Sequence, residues 1–263
     1  ADVVTAHDVP LYLSGIGTVQ AYNTVTVHVR VDGELVNVAF KEGQEVKKGD
    51  LLAQIDPRPY QAALDNALAN LAKDQAQLAN ARQDLARYNE TAAKGYSSRQ
   101  QRDTQAATVN GLAAAVQADQ ATVENARVQL DYTNIVAPLD GRTGIRLVDQ
   151  GNIVHAADAG GLVVITELDP IAAIFTLPQD KLPAVNAALA KGPLAVLADS
   201  SDNATELGHG TLELVDNQID PATGTVRLKA RFSNPERKLW PGEFVNARLQ
   251  VGEWWADRTT NEL

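Results

Sequence analysis

Alternating apolar and polar residues predict β-structure at the start of the chain. Val25, Val27 and Val29 alternate with polar residues, as in a strand that buries one face. Asp32-Gly33 follows this run as a turn signal. We therefore predict that residues 1–56 form short strands separated by turns.

The pattern becomes helical over residues 57–132. Asp56 is the predicted N-cap, and Pro57 suits the first turn because the N–H that proline lacks has no intrahelical acceptor there. Each half of the region repeats seam residues at alternating steps of three and four, which is the a/d spacing of a coiled coil. The predicted seams are Leu64, Leu68, Leu71, Gln75, Leu78, Arg82 and Leu85 in the first helix, and Val109, Leu112, Val116, Asp119, Val123, Ala126 and Leu130 in the second.

A short segment connects the two predicted helices. Gly95 suits the end of the first helix, and Ser98 with Gln101 forms a capping box at the start of the second. Because the connection is short, the helices run antiparallel, and ~35 residues at ~1.5 Å each give a rod of roughly 50 Å. The narrow apolar stripes favour an isolated hairpin over an ordinary helical bundle, which would bury wider faces.

The residues after this hairpin repeat those before it. Turn glycines and a valine recur at identical spacing, and a short apolar strand follows each set. The matched positions are Asp32-Gly33, Gly43 and Val46 in the first segment and Asp140-Gly141, Gly151 and Val154 in the second. The repeat predicts that two halves of one small β-sandwich bracket the hairpin.

A third pattern follows over residues 169–251. It predicts a short amphipathic helix from Pro178 to Leu189 and strands at Thr211 to Val215, Thr225 to Phe232 and Phe244 to Val251. These elements indicate a small, mainly antiparallel barrel or sandwich.

Composition excludes several classes of function. A formal net charge of -10 provides no basic face for a phosphate backbone, so we expect no nucleic-acid partner. With neither cysteine nor methionine, and with four histidines at scattered positions, a soft-metal site is not expected. Because recognisable catalytic and phosphate-binding motifs are also absent, we expect neither an enzyme nor a bound cofactor. No apolar run approaches the ~18 residues that cross a bilayer.

Three segments resemble the halves of a biotinyl/lipoyl domain. They are Gly33-Glu34-Leu35-Val36, the run from Gly43 to Leu52, and Ile135 to Gly141. In carrier proteins the two halves meet at a turn that bears the modified lysine, whereas here the coiled-coil hairpin replaces that turn. A split lipoyl domain with such an insertion resembles the periplasmic adaptors, or membrane fusion proteins, of resistance-nodulation-division (RND) efflux pumps.

The resemblance implies a mixed β and α fold and a non-catalytic role. It implies a periplasmic protein, anchored to the inner membrane by a segment not recognisable here, that joins an inner-membrane RND transporter to a TolC-type outer-membrane channel as a hexamer. The predicted regions are 1–24 (a strand for the barrel or a membrane-proximal region), 25–56 and 133–168 (lipoyl-like halves), 57–132 (hairpin), 169–251 (barrel) and 252–263 (unassigned tail).

The resemblance also implies that the hairpin tip docks the channel. The candidate residues are Arg87, Thr91, Tyr96, Ser97, Ser98, Arg102 and Asp103. Of these residues, Arg87, Ser98 and Asp103 match the family pattern. However, this chain has Thr91, Ser97 and Arg102 where apolar residues are expected.

Two other classes remain open at this point. A lipoyl or biotin carrier subunit of an enzyme needs a lysine at a tight turn, but Asp56-Pro57-Arg58-Pro59 starts a helix instead. A type I secretion adaptor would have a longer hairpin, so the length of the helices distinguishes it from an RND efflux adaptor.

Overall fold

The computed structural model describes residues 9–94 and 98–254. The strands are β1 (Val9–Ala21), β2 (Thr24–Val27), β3 (Gly33–Val38), β4 (Glu45–Val46), β5 (Leu51–Ile55), β6 (Asn134–Val136), β7 (Gly141–Arg146), β8 (Ile153–Val154), β9 (Val163–Thr166), β10 (Ile171–Pro178), β11 (Ala195–Ser200), β12 (Glu206–Asp220), β13 (Thr225–Phe232) and β14 (Phe244–Trp254). The helices are α1 (Arg58–Ala93), α2 (Arg99–Asp131) and α3 (Leu182–Leu189), which follows a 3-10 turn at Gln179–Lys181.

The predicted repeat is visible in the β-sandwich. Its strands lie in two sheets, in the orders β2-β9-β7-β4 and β6-β5-β3-β8, within the described part of the chain. Strands β3 and β7 have six residues each, and β4 and β8 have two each. Since β3 pairs with β8 and β4 pairs with β7, each half contributes to both sheets. The halves therefore share one core, which includes the fully buried Leu35, Leu52 and Ile165.

The hairpin is inserted between two strands that are hydrogen-bonded neighbours. Strands β5 and β6 pair antiparallel, with Gln54 opposite Asn134, and the N–H of Ile55 donates to the carbonyl of Thr133 at 2.8 Å. Helices α1 and α2 leave and re-enter the sandwich at this point. The fold class predicted from the sequence, a split lipoyl-like sandwich with an antiparallel helical hairpin and a small barrel, is confirmed.

Helix α1 starts one residue later than predicted. Its N-cap is Pro57, so the prediction of Asp56 as N-cap is wrong. The Asp56 carboxylate instead accepts a hydrogen bond from the N–H of Arg58 at 3.1 Å, two residues on. The Arg58 guanidinium also donates to this carboxylate, at 2.6 Å in the shortest bond, which lowers the pKa of Asp56.

The seam predicted for α1 also needs correction at three positions. The α2 seam is confirmed, with Val116 and Val123 buried and the other predicted positions half-buried. In α1 the predicted leucines at 64, 71, 78 and 85 face the partner helix, but Leu68 is 41% exposed. The inward positions between these leucines are Ala67, Asp74 and Ala81, in place of Leu68, Gln75 and Arg82. Ala67 packs with Leu64 and Val123, where a small side chain permits close approach of the helices.

Asp119 is an unfavourable residue in the α2 seam. Its Oδ2 atom is buried and has no hydrogen-bond partner among the described residues. A buried polar atom left unpaired costs about 1–3 kcal/mol, and a heptad seam favours an apolar residue. We expect Asp119→Leu to raise the free energy of unfolding by about this amount.

Urea denaturation followed by circular dichroism at the helical minimum would measure this gain. The matched control is Gln120→Leu, because Gln120 is the exposed neighbour on the same helix. A surface change of that kind should stay within about 0.5 kcal/mol. Equal stability of the Asp119→Leu variant and the parent would contradict the prediction.

The last section closes into a barrel. Its strand order, among the described residues, is β1-β10-β13-β12-β11-β14. Phe175, Phe232 and Leu228 are fully buried inside it, and α3 contributes Val185 to the same core. The predicted strand β13 is confirmed at both ends.

Three other predictions for this section differ from the structure in length. Strand β14 continues past the predicted Val251 to Trp254. Strand β12 runs well beyond the predicted Thr211 to Val215, because register shifts between Leu212 and Leu214 and between Val215 and Ile219 interrupt the alternation that marks a strand. The predicted helix from Pro178 is instead the end of β10, the 3-10 turn and α3.

Candidate functional site

The hairpin carries its tip far from the β-domains. Helix α1 has 36 residues. At ~1.5 Å per residue this gives a rod of about 54 Å, as the sequence predicted. The buried side chains of α1 end at Ala81, and no described residue between 82 and 94 or between 98 and 115 is buried. The tip is therefore an exposed surface on a rigid support.

Arg87 and Thr91 lie on successive turns near the end of α1. Arg87 is 75% exposed, and its guanidinium pairs with the Asp84 carboxylate one turn earlier at 3.2 Å. The Thr91 hydroxyl donates to the carbonyls of Arg87 and Tyr88 at 2.9 and 3.2 Å. The arginine thus presents most of its surface to solvent, while the threonine hydroxyl bonds back to its own helix.

Ser98 starts α2 with the predicted capping box. Its hydroxyl accepts from the N–H of Gln101 at 3.1 Å, and its own N–H donates to the Gln101 side chain at 3.1 Å. Ser98 therefore has a structural role at the tip, since it satisfies N–H groups that the helix leaves unpaired. Tyr96 and Ser97, the other candidates in the connection, lie outside the described residues.

Arg102 and Asp103 form an ion pair beside the cap. The Arg102 guanidinium donates to Asp103 Oδ1 at 2.8 and 3.1 Å, and the arginine side chain is only 43% exposed. Continuing the α2 seam back from Val109 by one heptad reaches Arg102, so its aliphatic stem packs at a seam position. The charge of Arg102 is therefore already balanced within this chain.

Gln105 was missed in the sequence interpretation. Its side-chain amide donates to the carbonyl of Ala81 on the opposite helix at 3.0 Å, which ties the helices together where buried apolar residues end. The signal was present, because Gln105 is the next seam position before Val109. The predicted seam began at Val109, one step after Gln105.

The tip differs in charge from the rest of the chain. Residues 87–103 contain Arg87, Lys94, Arg99 and Arg102 against Glu90 and Asp103, which leaves a formal charge of +2 in a chain of -10. The described residues of this segment include neither a nucleophile beside a base nor paired carboxylates in a cleft. Its excess of positive charge suits it to contact with an acidic surface.

The rest of the described chain offers no stronger chemical site. It contains no group of three or more His, Asp or Glu residues placed to hold a metal ion. Within the same residues, none of the helices has the length and hydropathy needed to cross a membrane. In the barrel, Arg248 donates to the buried Asp199 carboxylate at 2.6 Å, which raises the pKa of Arg248 and satisfies a buried charge.

Family models match nearly all of the β-structure. Residues 23–166 match the RND MFP (membrane fusion protein) barrel-sandwich hybrid domain, and residues 170–253 match the RND MFP β-barrel domain.

Curated relatives match most of the chain. The multidrug resistance protein MdtA of Erwinia amylovora is 51% identical over 245 residues, covering 93% of this chain and 60% of that protein. MdtA of Klebsiella pneumoniae is 51% identical over 252 residues, covering 95% of this chain and 61% of that protein. The chain therefore spans less than two thirds of the length of these relatives.

Solved structures show the same fold. A MacA-MexA chimeric protein with the Pseudomonas aeruginosa MexA α-hairpin domain has a TM-score of 0.67 and 27% identity, covering 96% of this chain and 83% of that one. The membrane fusion protein Spr0693 from Streptococcus pneumoniae has a TM-score of 0.68 at 20% identity, covering 92% of this chain and 99% of that one, and so supports the fold alone. Together with the family models and the curated relatives, these matches show that the chain belongs to the RND membrane fusion protein family.

Proposed function

We propose that this chain is the periplasmic adaptor of a tripartite efflux pump, held at the inner membrane and acting without catalysis of its own. It joins an RND transporter to a TolC-type outer-membrane channel for the export of drugs or other small molecules. The observation that carries the proposal is the hairpin, which places an exposed, basic tip about 54 Å from the β-domains.

The architecture suits a connector. A coiled-coil rod is stiffer than a loop of the same length, so it fixes the position of the tip relative to the β-domains. The β-domains at its base provide wide faces through which subunits can pack side by side. Head-to-tail packing of identical subunits closes into a ring, and we propose a hexamer for the assembled pump. The similarity to MdtA proteins supports the efflux role.

The tip residues divide into three proposed roles. Arg87 is the docking residue, since its exposed guanidinium can donate to carbonyl or carboxylate groups of the channel. Ser98 shapes the tip through the capping box. Thr91, Tyr96, Ser97, Arg102 and Asp103 form the surrounding contact surface.

Removing the Arg87 side chain tests the docking role. We expect Arg87→Ala to weaken binding of the purified chain to its channel by about 30-fold, because a central interface arginine contributes about 2 kcal/mol or more. Biolayer interferometry with detergent-solubilised channel would give Kd, and a drug-susceptibility assay would give efflux in cells.

Arg127→Ala is the matched control. Arg127 also pairs with an acidic residue one helical turn away, Glu124, at 2.7 Å, but near the base of the hairpin. It should leave both Kd and efflux unchanged. If Arg87→Ala behaves like this control with expression and folding intact, the tip is not the docking site.

A further inference from the structure

The sandwich and the barrel have separate apolar cores. The buried residues of one cluster belong to the sandwich, and those of the other belong to the barrel and α3. The described contacts between the domains include an ion pair and a cation-π contact. A junction held by polar contacts, with no shared apolar core, permits domains to move relative to one another.

Within residues 9–254 the described chain crosses between the domains at residues 22–23 and 167–170, and these two crossings are hydrogen-bonded to each other. The N–H of Tyr22 donates to the carbonyl of Glu167 at 3.3 Å, and the N–H of Glu167 donates to the carbonyl of Asn23 at 2.9 Å. Because both crossings lie side by side, they form one ribbon about which the domains can turn.

Tyr22 fixes this ribbon to the barrel wall. Its hydroxyl donates to Glu213 at 2.6 Å, and this bond raises the pKa of Tyr22 and lowers that of Glu213. The ring also lies under Lys229 Nζ at 4.7 Å and under the Arg231 guanidinium at 5.4 Å. A change in the angle between the sandwich and the barrel therefore occurs where the ribbon joins the sandwich.

A second contact between the domains comes from the loop between β13 and β14. Asn234 is 4% exposed, and its side chain donates to the carbonyls of Leu168 and Leu239 at 3.0 and 2.9 Å. Leu239 is buried in the barrel core. The loop is therefore a fixed part of the barrel, and it presents Arg237 and Trp240 toward the sandwich.

The sandwich meets this loop with two side chains that are cross-strand neighbours. Glu45 on β4 lies opposite Arg142 on β7. Arg237 donates to Glu45 at 2.5 Å, and the Arg142 guanidinium lies 5.5 Å from the centre of the Trp240 ring. We call Glu45, Arg142, Arg237 and Trp240 the junction latch.

The backbone of Arg237 supports a special role for this loop. Its φ of 56° lies in the left-handed region, which is uncommon for a residue other than glycine. Such a conformation persists where the surrounding structure holds it, and it occurs often at sites where strain serves a function.

We propose that the junction latch holds the barrel at one angle to the sandwich and that its release lets the barrel turn about the ribbon while both cores stay intact. Glu45 and Arg142 belong to one domain and Arg237 and Trp240 to the other, so turning about the ribbon separates these two pairs. Ion pairs with exposed carboxylates are weak and are screened by salt, which makes the latched state reversible.

Distances between spin labels on the two domains would test the latch. These 263 residues contain no cysteine, so Ala157→Cys on the sandwich and Ala222→Cys on the barrel, both exposed, give two defined labels. We expect one narrow distance distribution in the labelled parent. Arg237→Glu, which places two carboxylates together, should shift and broaden that distribution, and so should high salt.

The reversed pair provides the specific control. Glu45→Arg combined with Arg237→Glu should restore the parent distribution, whereas Lys238→Glu, which alters the neighbouring cation on the same loop, should leave it unchanged. Glu45→Gln gives a second test if Arg237→Glu fails to fold. An unchanged distribution in Arg237→Glu or Glu45→Gln, or no restoration in the reversed pair, would overturn the proposal. These measurements need no pump partner, so their outcome is independent of the adaptor role.

Discussion

Replacing the whole hairpin with a two-residue turn is expected to abolish efflux while leaving both β-domains folded. The variant removes residues 57–132 and joins Asp56 to Thr133 through Asn-Gly. The loss of efflux should be complete, because the proposed channel contact lies entirely on the removed segment.

The β-domains should survive because the insertion points already lie side by side. Ile55 and Thr133 are hydrogen-bonded at 2.8 Å, and their strands are in antiparallel register. Asn-Gly favours the tight turn that joins two such strands. Closing a very short loop between ends held this way requires little conformational entropy.

The deletion does remove two contacts at the base of the hairpin. Tyr60 donates to the carbonyl of Asp32 at 2.7 Å, and the Tyr132 ring lies 4.9 Å from the Arg30 guanidinium. Both rings pack against the edge of the sandwich core, so we expect a lower melting temperature. The residues fully buried in that core, such as Leu52 and Ile165, are retained.

Calorimetry of the purified deletion variant would show whether a cooperative transition remains, and drug susceptibility would report efflux. An insoluble variant, or one without a cooperative transition, would show that the sandwich depends on the hairpin. Efflux that survives the deletion would show that the channel contact lies elsewhere.

The sandwich could be predicted from sequence because its constraints are local and repeated. Gly43 and Gly151 both adopt positive φ, at 73° and 89°, so glycine is favoured at each turn. Because the turns of the two halves have the same residues at the same spacing, the repeat can be recognised from the sequence without knowing how the strands pack. The capping box at Ser98 and Gln101 was equally local.

The α1 seam could not be predicted, because two registers share the same leucines. Steps of four then three from Leu64 select Leu68, whereas steps of three then four select Ala67. Hydrophobicity alone favours Leu68 over Ala67. Which of the two is buried depends on how α1 packs against α2, and the sequence of α1 does not contain that information. The latch residues Glu45 and Arg237 are far apart in sequence, and nothing local marks them as partners.

In the proposed adaptor role, the polar tip is expected to determine which channel is bound. Combining Thr91→Leu, Ser97→Val and Arg102→Leu should weaken binding to the cognate channel and strengthen binding to a TolC-type channel that docks adaptors with apolar tips. A leucine buried at an interface contributes about 2 kcal/mol, or roughly 30-fold in Kd, before ordering costs are subtracted.

The structure assigns different effects to the substitutions at Thr91 and Arg102. Thr91→Leu removes a hydroxyl that donates to carbonyls of its own helix and places apolar surface on the exposed tip. Arg102→Leu fills a seam position and leaves Asp103 without its ion-pair partner, which lowers the positive charge of the tip. Kd values of the triple variant and of Thr91→Leu alone, measured against both channels, separate these effects. If the triple variant binds both channels more tightly, the polar tip has lost apolar anchors and does not determine which channel is bound.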